Sequence, residues 1–242
     1  MKYAERFYRD FTDTQRWTSY RVKVESTDLF IRMRGDRSEE VHAMVRNLRE
    51  ELERHIRIQS AFLTSFVPVP RVAGVHPLVE SMYAASEAAG VGPMAAVAGA
   101  IAEFVGRQCA CISDEVIIEN GGDIWLTVTE PVTLSIFAGS SPFSGTVGIR
   151  IHPKMCPLGV CTSSGRIGHS FSFGRADAAT ILAKNAALSD AVATETGNRV
   201  KDEKDMESAV HYAMRIDGVS GALVIYRDAI IIQGGIELAP LN

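Results

Sequence analysis

Asp190 and Thr194 stand four residues apart in LSDAVATETGN, so a helix through them carries a carboxylate and a hydroxyl on one face. Two oxygen donors of that kind suit a hard cation such as Mg2+, completed by water and a ligand phosphate. The same pair also fits a capping aspartate near a helix start with a threonine packed on it. Upstream, GVCTSSGRIG is crowded with small and hydroxyl residues. The N–H groups and hydroxyls of Thr162, Ser163, Ser164 and Gly165 could hold phosphate or carboxylate oxygens. The stretch is not a P-loop, because the Gly-Lys-Ser/Thr ending is missing. His169 follows it, with a side chain whose charge can change near neutral pH. It could orient a ligand or move a proton, or it could be a structural histidine with satisfied hydrogen bonds.

A second constellation is Asn120-Gly121-Gly122-Asp123. Asn-Gly and Gly-Gly are favoured hairpin turn pairs, which accounts for it without function. Alternatively, glycine backbone admits the flat or anionic part of a ligand, with Asn120 and Asp123 supplying polar contacts. The four cysteines lack paired C-x-x-C spacing, which argues against zinc. Cys109 and Cys111 read as two small buried hydrophobes at a helix end. Cys156 and Cys161 flank PLGV just ahead of the Gly/Ser loop and could form a reactive pair or a soft metal site.

The elements that must position these residues are legible as patterns. Residues 19–26 and 28–34 alternate polar and apolar side chains and predict a hairpin. Ser38 is placed as the cap of an amphipathic helix to about Gln59, built on Val41, Met44, Val45, Leu48, Leu52 and Ile56. His42 and His55 fall on or near its polar side and read as solvated helix histidines rather than metal ligands. Residues 60–76 read as loop, with Pro68 and Pro70 as breakers. Helices are expected from Pro77 to before Gly90 and again from Pro93. Gly99, inside the second, implies close approach of another helix or of a ligand, since glycine in a helix costs up to about 1 kcal/mol relative to alanine. Strands are expected at 116–118, 124–128, 132–137, 146–151 and 159–162. Residues 177–184 are ambiguous between strand and helix. A helix starting at Asn185 or Ser189 and ending at Gly197 or Asn198 carries Asp190. A helix at 203–216 and a hairpin of 221–226 with 229–233 close the chain. Short strands in series with intervening helices give an α+β fold with antiparallel sheets.

Length and composition bound the rest. The chain has 242 residues, 46% of them hydrophobic, enough for a full core without staples. The organisation expected is one domain over 1–242, with the hairpin and helix of 19–59 packed on a main body of 77–242. The formal net charge of −4 argues against nucleic acid as a partner. No run reaches the roughly 18 apolar residues of a membrane span, and the charged N-terminus has no apolar signal core, so a cytoplasmic location is expected. A homodimer fits such an apolar chain, though no motif fixes one.

The order of AVAGAIAEFVG, ENGGDIWL, CTSSGRIGHSFSFG, ATILA and LSDAVATETGN resembles the ApbE-like superfamily. VGPMAAVAGAIAEFVG followed by ENGGDI is closest to its small, largely uncharacterised branch in archaea and anaerobic bacteria. That resemblance covers nearly the whole chain, whereas likeness to the FAD:protein FMN transferases runs from about Met94 to Asn198. It implies sheets and helices around a ligand cleft, FAD as ligand and magnesium at the pyrophosphate. It places Asp190 and Thr194 at the metal and Gly121, Gly122 and Asp123 near the flavin. Thr162, Ser163 and Gly165 fall in a ligand loop, and His169 matches the histidine after it. Two departures stand out. Glu103 occupies the place of a lysine that the transferases carry, and SFSFGRAD follows His169 where they have an Asp-Pro pattern. The resemblance therefore implies binding of a nucleotide- or flavin-like ligand with a divalent cation, and a transferase or hydrolase if catalytic. The alternative is a non-flavin accessory protein of anaerobic sulfur or cofactor metabolism.

Overall fold

The structure, a computed structural model, describes residues 16–164 and 174–241. In chain order they form β1 (Thr18–Val24), β2 (Thr27–Met33), α1 (Ser38–Ile58), α2 (Ala61–Thr64), α3 (Pro77–Ala89), α4 (Val97–Cys109), β3 (Val116–Asn120) and β4 (Asp123–Thr127). There follow β5 (Val132–Ser135), β6 (Val147–Ile151), β7 (Leu158–Ser163), β8 (Ala178–Ala183), α5 (Ala186–Arg199), α6 (Met206–Met214), β9 (Val219–Tyr226), β10 (Ala229–Gly234) and β11 (Glu237–Pro240). One sheet runs β1-β2-β3-β4-β7-β8-β9-β10, antiparallel throughout, and a second runs β11-β6-β5.

The period of two along the large sheet sorts its side chains into two cores. Ile31, Val116, Ile118, Trp125, Cys161, Ile181 and Val224 pack with the helices. Ile117, Leu126, Val160, Leu182 and Leu223 face the small sheet through Ile149 and Ile151. Three layers result: helices, eight strands, three strands. Both faces of β8 are covered, and all six of its residues are buried. A strand buried on both faces loses the alternation that marks a half-buried one, so 177–184 was ambiguous in sequence. β11 carried no strand signal and forms by pairing with β6.

Local chemistry sets the element ends. Pro77 opens α3, His76 accepts from the Leu78 N–H, and Gly90 closes the helix at φ 68°. Ser38 does not cap α1. It is the first helical residue, and its N–H donates to Asp36 at 2.8 Å. The Pro93 segment is a 3-10 turn through Ala96 before α4 begins. His55 is buried rather than solvated, its ring nitrogen 2.8 Å from the Tyr83 hydroxyl and its ring in a T-shaped contact with Phe62. Desolvation holds this imidazole below its ordinary pKa. Cys109 is buried as expected, but Cys111 is exposed beyond the end of α4. No single helix among the described residues is long and apolar enough to cross a membrane.

The first described residue ties the start of the chain to the sheet. Arg16 meets the carboxylate of Glu115 through two guanidinium nitrogens, and Thr129 donates to the same carboxylate through N–H and hydroxyl. Glu115 is 2% exposed, and the Arg16 guanidinium, followed by the Thr129 donors, lowers its pKa from 4.5 to about 2. A depressed carboxylate stabilises the fold fully above its unfolded pKa and loses that contribution as pH falls toward its folded one. Glu115→Gln is therefore expected to cost on the order of 3 kcal/mol at neutral pH. The difference from wild type should shrink between pH 4.5 and about 2, read by urea denaturation across that range.

Candidate functional site

The helix-facing side of the large sheet carries part of the predicted site. Asn120 ends β3 and Asp123 opens β4, joined by Gly121 and Gly122 at φ 74° and 119°. Those values are open to glycine at little cost, and they make the hairpin tight. Asp123 pairs in register with Cys161 of the adjacent β7. By alternation Asn120, Asp123, Cys161 and Ser163 share the face that meets α4 and α5. The Asn120 amide donates to the Ala98 carbonyl at 3.1 Å and fixes the hairpin to the start of α4.

Asp190 lies in the second turn of α5 and is buried. It does not cap its own helix, where Asn185 accepts from the Leu188 N–H at 2.8 Å. Instead its Oδ2 accepts from the Gly99 N–H at 2.9 Å, at the open amide end of α4. Burial pushes its carboxyl well above the usual range and the negative charge of Asp123 adds to that, while the amides of Gly99 and Ala98 pull the other way. Glu103 of α4 returns the arrangement. Its Oε2 accepts the Ala186 N–H at 2.7 Å, the first amide of α5, and its Oε1 accepts from Arg107 at 2.8 Å. Each helix thus supplies a carboxylate to the other's positive end. The approach needs Gly99, where a Cβ would lie 2.2 Å from the Ala186 carbonyl oxygen. It needs Gly159 too, where a Cβ would lie 2.5 Å from the Ala186 Cα. Part of the small-residue content that pointed to a ligand serves helix-on-sheet packing.

The loop residues divide. The Thr162 hydroxyl lies 2.9 Å from the Thr180 hydroxyl, on the sheet face opposite Asp190. Its backbone meets the glycine turn, since a Cβ on Gly122 would sit 3.7 Å from the Thr162 carbonyl oxygen. Ser163 flanks α5, its Oγ 3.7 Å from where a Cβ on Gly197 would lie, and Gly174 packs on the Gly197 carbonyl. Ser164 follows β7, and Thr194 is half-buried one turn beyond Asp190. Gly165 and His169 lie outside the described residues.

The two cysteines do not form a pair. Cys161 is fully buried in the helix-side core, its thiol 3.4 Å from the Ala186 carbonyl. Burial, then Asp123 and Asp190, push that thiol well above its ordinary pKa. Cys156 packs with the core on the other side of the sheet. Among the described residues no three His, Cys, Asp or Glu side chains converge as a metal cluster. Two surface depressions lie away from these residues, one of about 440 Å³ beside Arg21, His42 and Arg46 and one of about 360 Å³ beside His76 and Gln108.

This three-layer α+β arrangement is the fold of the ApbE-type flavin transferases. A flavin transferase ApbE from Vibrio cholerae superposes with a TM-score of 0.57 over 90% of this chain and 97% of its own, at 11% identity. A Pseudomonas stutzeri flavinyl transferase ApbE does so with 0.55 over 90% and 94%, at 12% identity. A protein-family model described as AbpE bacteria matches residues 9–226, and the chain belongs to that family. It is 38% identical to UPF0280 protein MJ1526 of Methanocaldococcus jannaschii over 91% of this chain and 92% of that protein. With UPF0280 protein MK0206 of Methanopyrus kandleri it shares 40% identity over 89% and 87%. The chain is therefore an ApbE-like protein of the archaeal UPF0280 branch.

Sequence reasoning missed that Asp190 and Glu103 are exchanged between helices. The available signal was Gly99, a glycine where a helix needs none. Glu103→Lys, which installs the residue of the transferases, would set an ammonium against the N–H donors of α5. It is expected to destabilise the fold by about 2–4 kcal/mol in chemical denaturation, with Glu103→Gln less damaging. Native-state thiol titration should modify Cys111 first and leave Cys161 unreacted until denaturant is added.

Proposed function

We propose that the protein binds a nucleotide- or flavin-like ligand together with a divalent cation, Mg2+ in the first instance, and acts as a transferase or hydrolase on a pyrophosphate in that ligand. The observation that carries this is the buried Asp190 carboxylate beside the start of α4, made costlier to charge by burial and then by the negative charge of Asp123, with the Gly121–Gly122 turn set against the backbone of Thr162. Two carboxylates that disfavour each other's charge are relieved by a shared proton or by a cation. Oxygen donors from Asp190, Thr194 and Asp123 fit a hard cation that keeps several waters and takes ligand phosphate.

In this assignment Asp190 and Thr194 hold the cation, and Asp190 keeps its hydrogen bond from Gly99. The glycine turn admits a flat or anionic part of the ligand between Asn120 and Asp123. Ser163, Ser164 and the backbone of Thr162 and Gly165 take ligand oxygens, since the Thr162 hydroxyl is engaged with Thr180. His169 is the candidate base. Glu103 is bound to Arg107 and to the start of α5, so its charge is not offered to a pyrophosphate. A bound cation would offset the charge of the phosphates. The flavin-like ligand is taken over from the solved flavin transferases that have this fold, and binding has to test it.

Calorimetry with FAD, FMN and ADP, each with and without Mg2+, tests this. At least one is expected to bind in a cation-dependent way. Asp123→Asn and Thr194→Ala, which leave the cap of α4 in place, are expected to weaken binding by roughly tenfold or more. Failure of all three ligands to bind at high micromolar concentration with Mg2+ retires the proposal.

A further inference from the structure

We infer that the outer edge of β10 is an interface for a second copy of this chain, paired antiparallel through β10 of each copy. The large sheet ends in two different edges, β1 and β10. β1 carries Arg21 and Lys23 among its alternating residues, the charged side chains that blunt an edge against pairing. β10 reads AIIIQG, with neither a charge nor a proline, and its register with β9 runs unbroken over six pairs. Ile230 and Ile231 are half-buried and Ile232 is 36% exposed. After Gly234 the chain turns back under β9, with the Ile236 side chain against Gly221, so the outer edge of β10 is uncovered among the described residues.

What fits this edge is set by the helix above it. α6 packs on both β9 and β10, and Met214 reaches Gly234, where a Cβ would lie 2.8 Å from its Cε. Antiparallel pairing of two β10 edges creates a two-fold axis normal to the sheet, which keeps the helix layers on one side. With strands about 4.8 Å apart and α6 seated between β9 and β10, the two α6 helices come within about 10 Å of each other, a packing distance. Glu207 and His211 on the exposed side of α6 and Arg215 just past its end follow at four-residue steps. Neither Glu207 nor Arg215 forms an ion pair among the described residues. Across the two-fold the helices run antiparallel, and a register that sets the axis near His211 brings Glu207 of each copy to Arg215 of the other. Charge and edge select the same occupant, a second copy that extends the sheet.

Sedimentation equilibrium of the full chain at micromolar concentration is expected to give a dimer. Ile232→Lys, which brings two ammonium groups to the axis, is expected to give a monomer with unchanged far-UV circular dichroism. Glu207→Arg should weaken the dimer about tenfold or more, and Glu207→Arg with Arg215→Glu should restore it. The charge pair keeps the test decisive if the edge variant fails to fold. A monomeric wild type, or a dimer indifferent to both the edge and the charge variants, overturns the inference.

Discussion

The exchange of carboxylates between α4 and α5 is the constraint on which the rest of the helix layer depends. A helix start exposes amides that a buried interface must satisfy. Here Asp190 of α5 accepts from Gly99 of α4, and Glu103 of α4 accepts from Ala186 of α5. Because each carboxylate answers the other helix, the two helices cannot slide without stranding a donor. The glycines follow from this, since the backbones must close before the side chains can reach. So does the seating of the hairpin, because Asn120 holds the Ala98 carbonyl of the same turn.

That constraint also shapes the candidate site. Asp190 is held in place by an amide on one oxygen, in surroundings dry enough to make its charge costly, a cost to which the negative charge of Asp123 on β4 adds. Structure and site are therefore not separable in this residue. The helix cap positions a carboxylate that would otherwise sample rotamers, and the turn of two glycines leaves backbone open beside it. Glu103 plays the opposite part. A charge that looks placed to disturb a phosphate site is neutralised by Arg107 and spent on a helix start.

The fold is shared with the solved flavin transferases at 11–12% identity. Sheet and helix packing tolerate such divergence because apolar volume and pattern can be kept by many sequences. A site does not share that tolerance, since it depends on particular groups at particular places. The agreement in fold therefore says little about the ligand.

The sequence by itself determined the elements whose burial is one-sided. The amphipathic period of α1, the alternation of β1 and β2, and the Pro–Gly bounds of α3 were each legible, because exposure on one side writes a repeat into the chain. The order of the Gly-Gly-Asp turn, the Thr-Ser loop and the Asp/Thr helix was legible as a family pattern. Tertiary structure alone decided β8 and β11, since burial on both faces erases alternation and a short edge strand forms only where a partner offers its ladder. It alone decided that His55 is inside, through the hydroxyl of Tyr83. It put Cys156 and Cys161 on opposite sides of the sheet and turned the Thr162 hydroxyl away from Asp190. It alone joined Asp190 to Gly99 and Glu103 to Ala186, contacts separated by 91 and 83 residues. Spacing along a chain reports which groups share a face of one element, and these contacts arise only when two elements are packed.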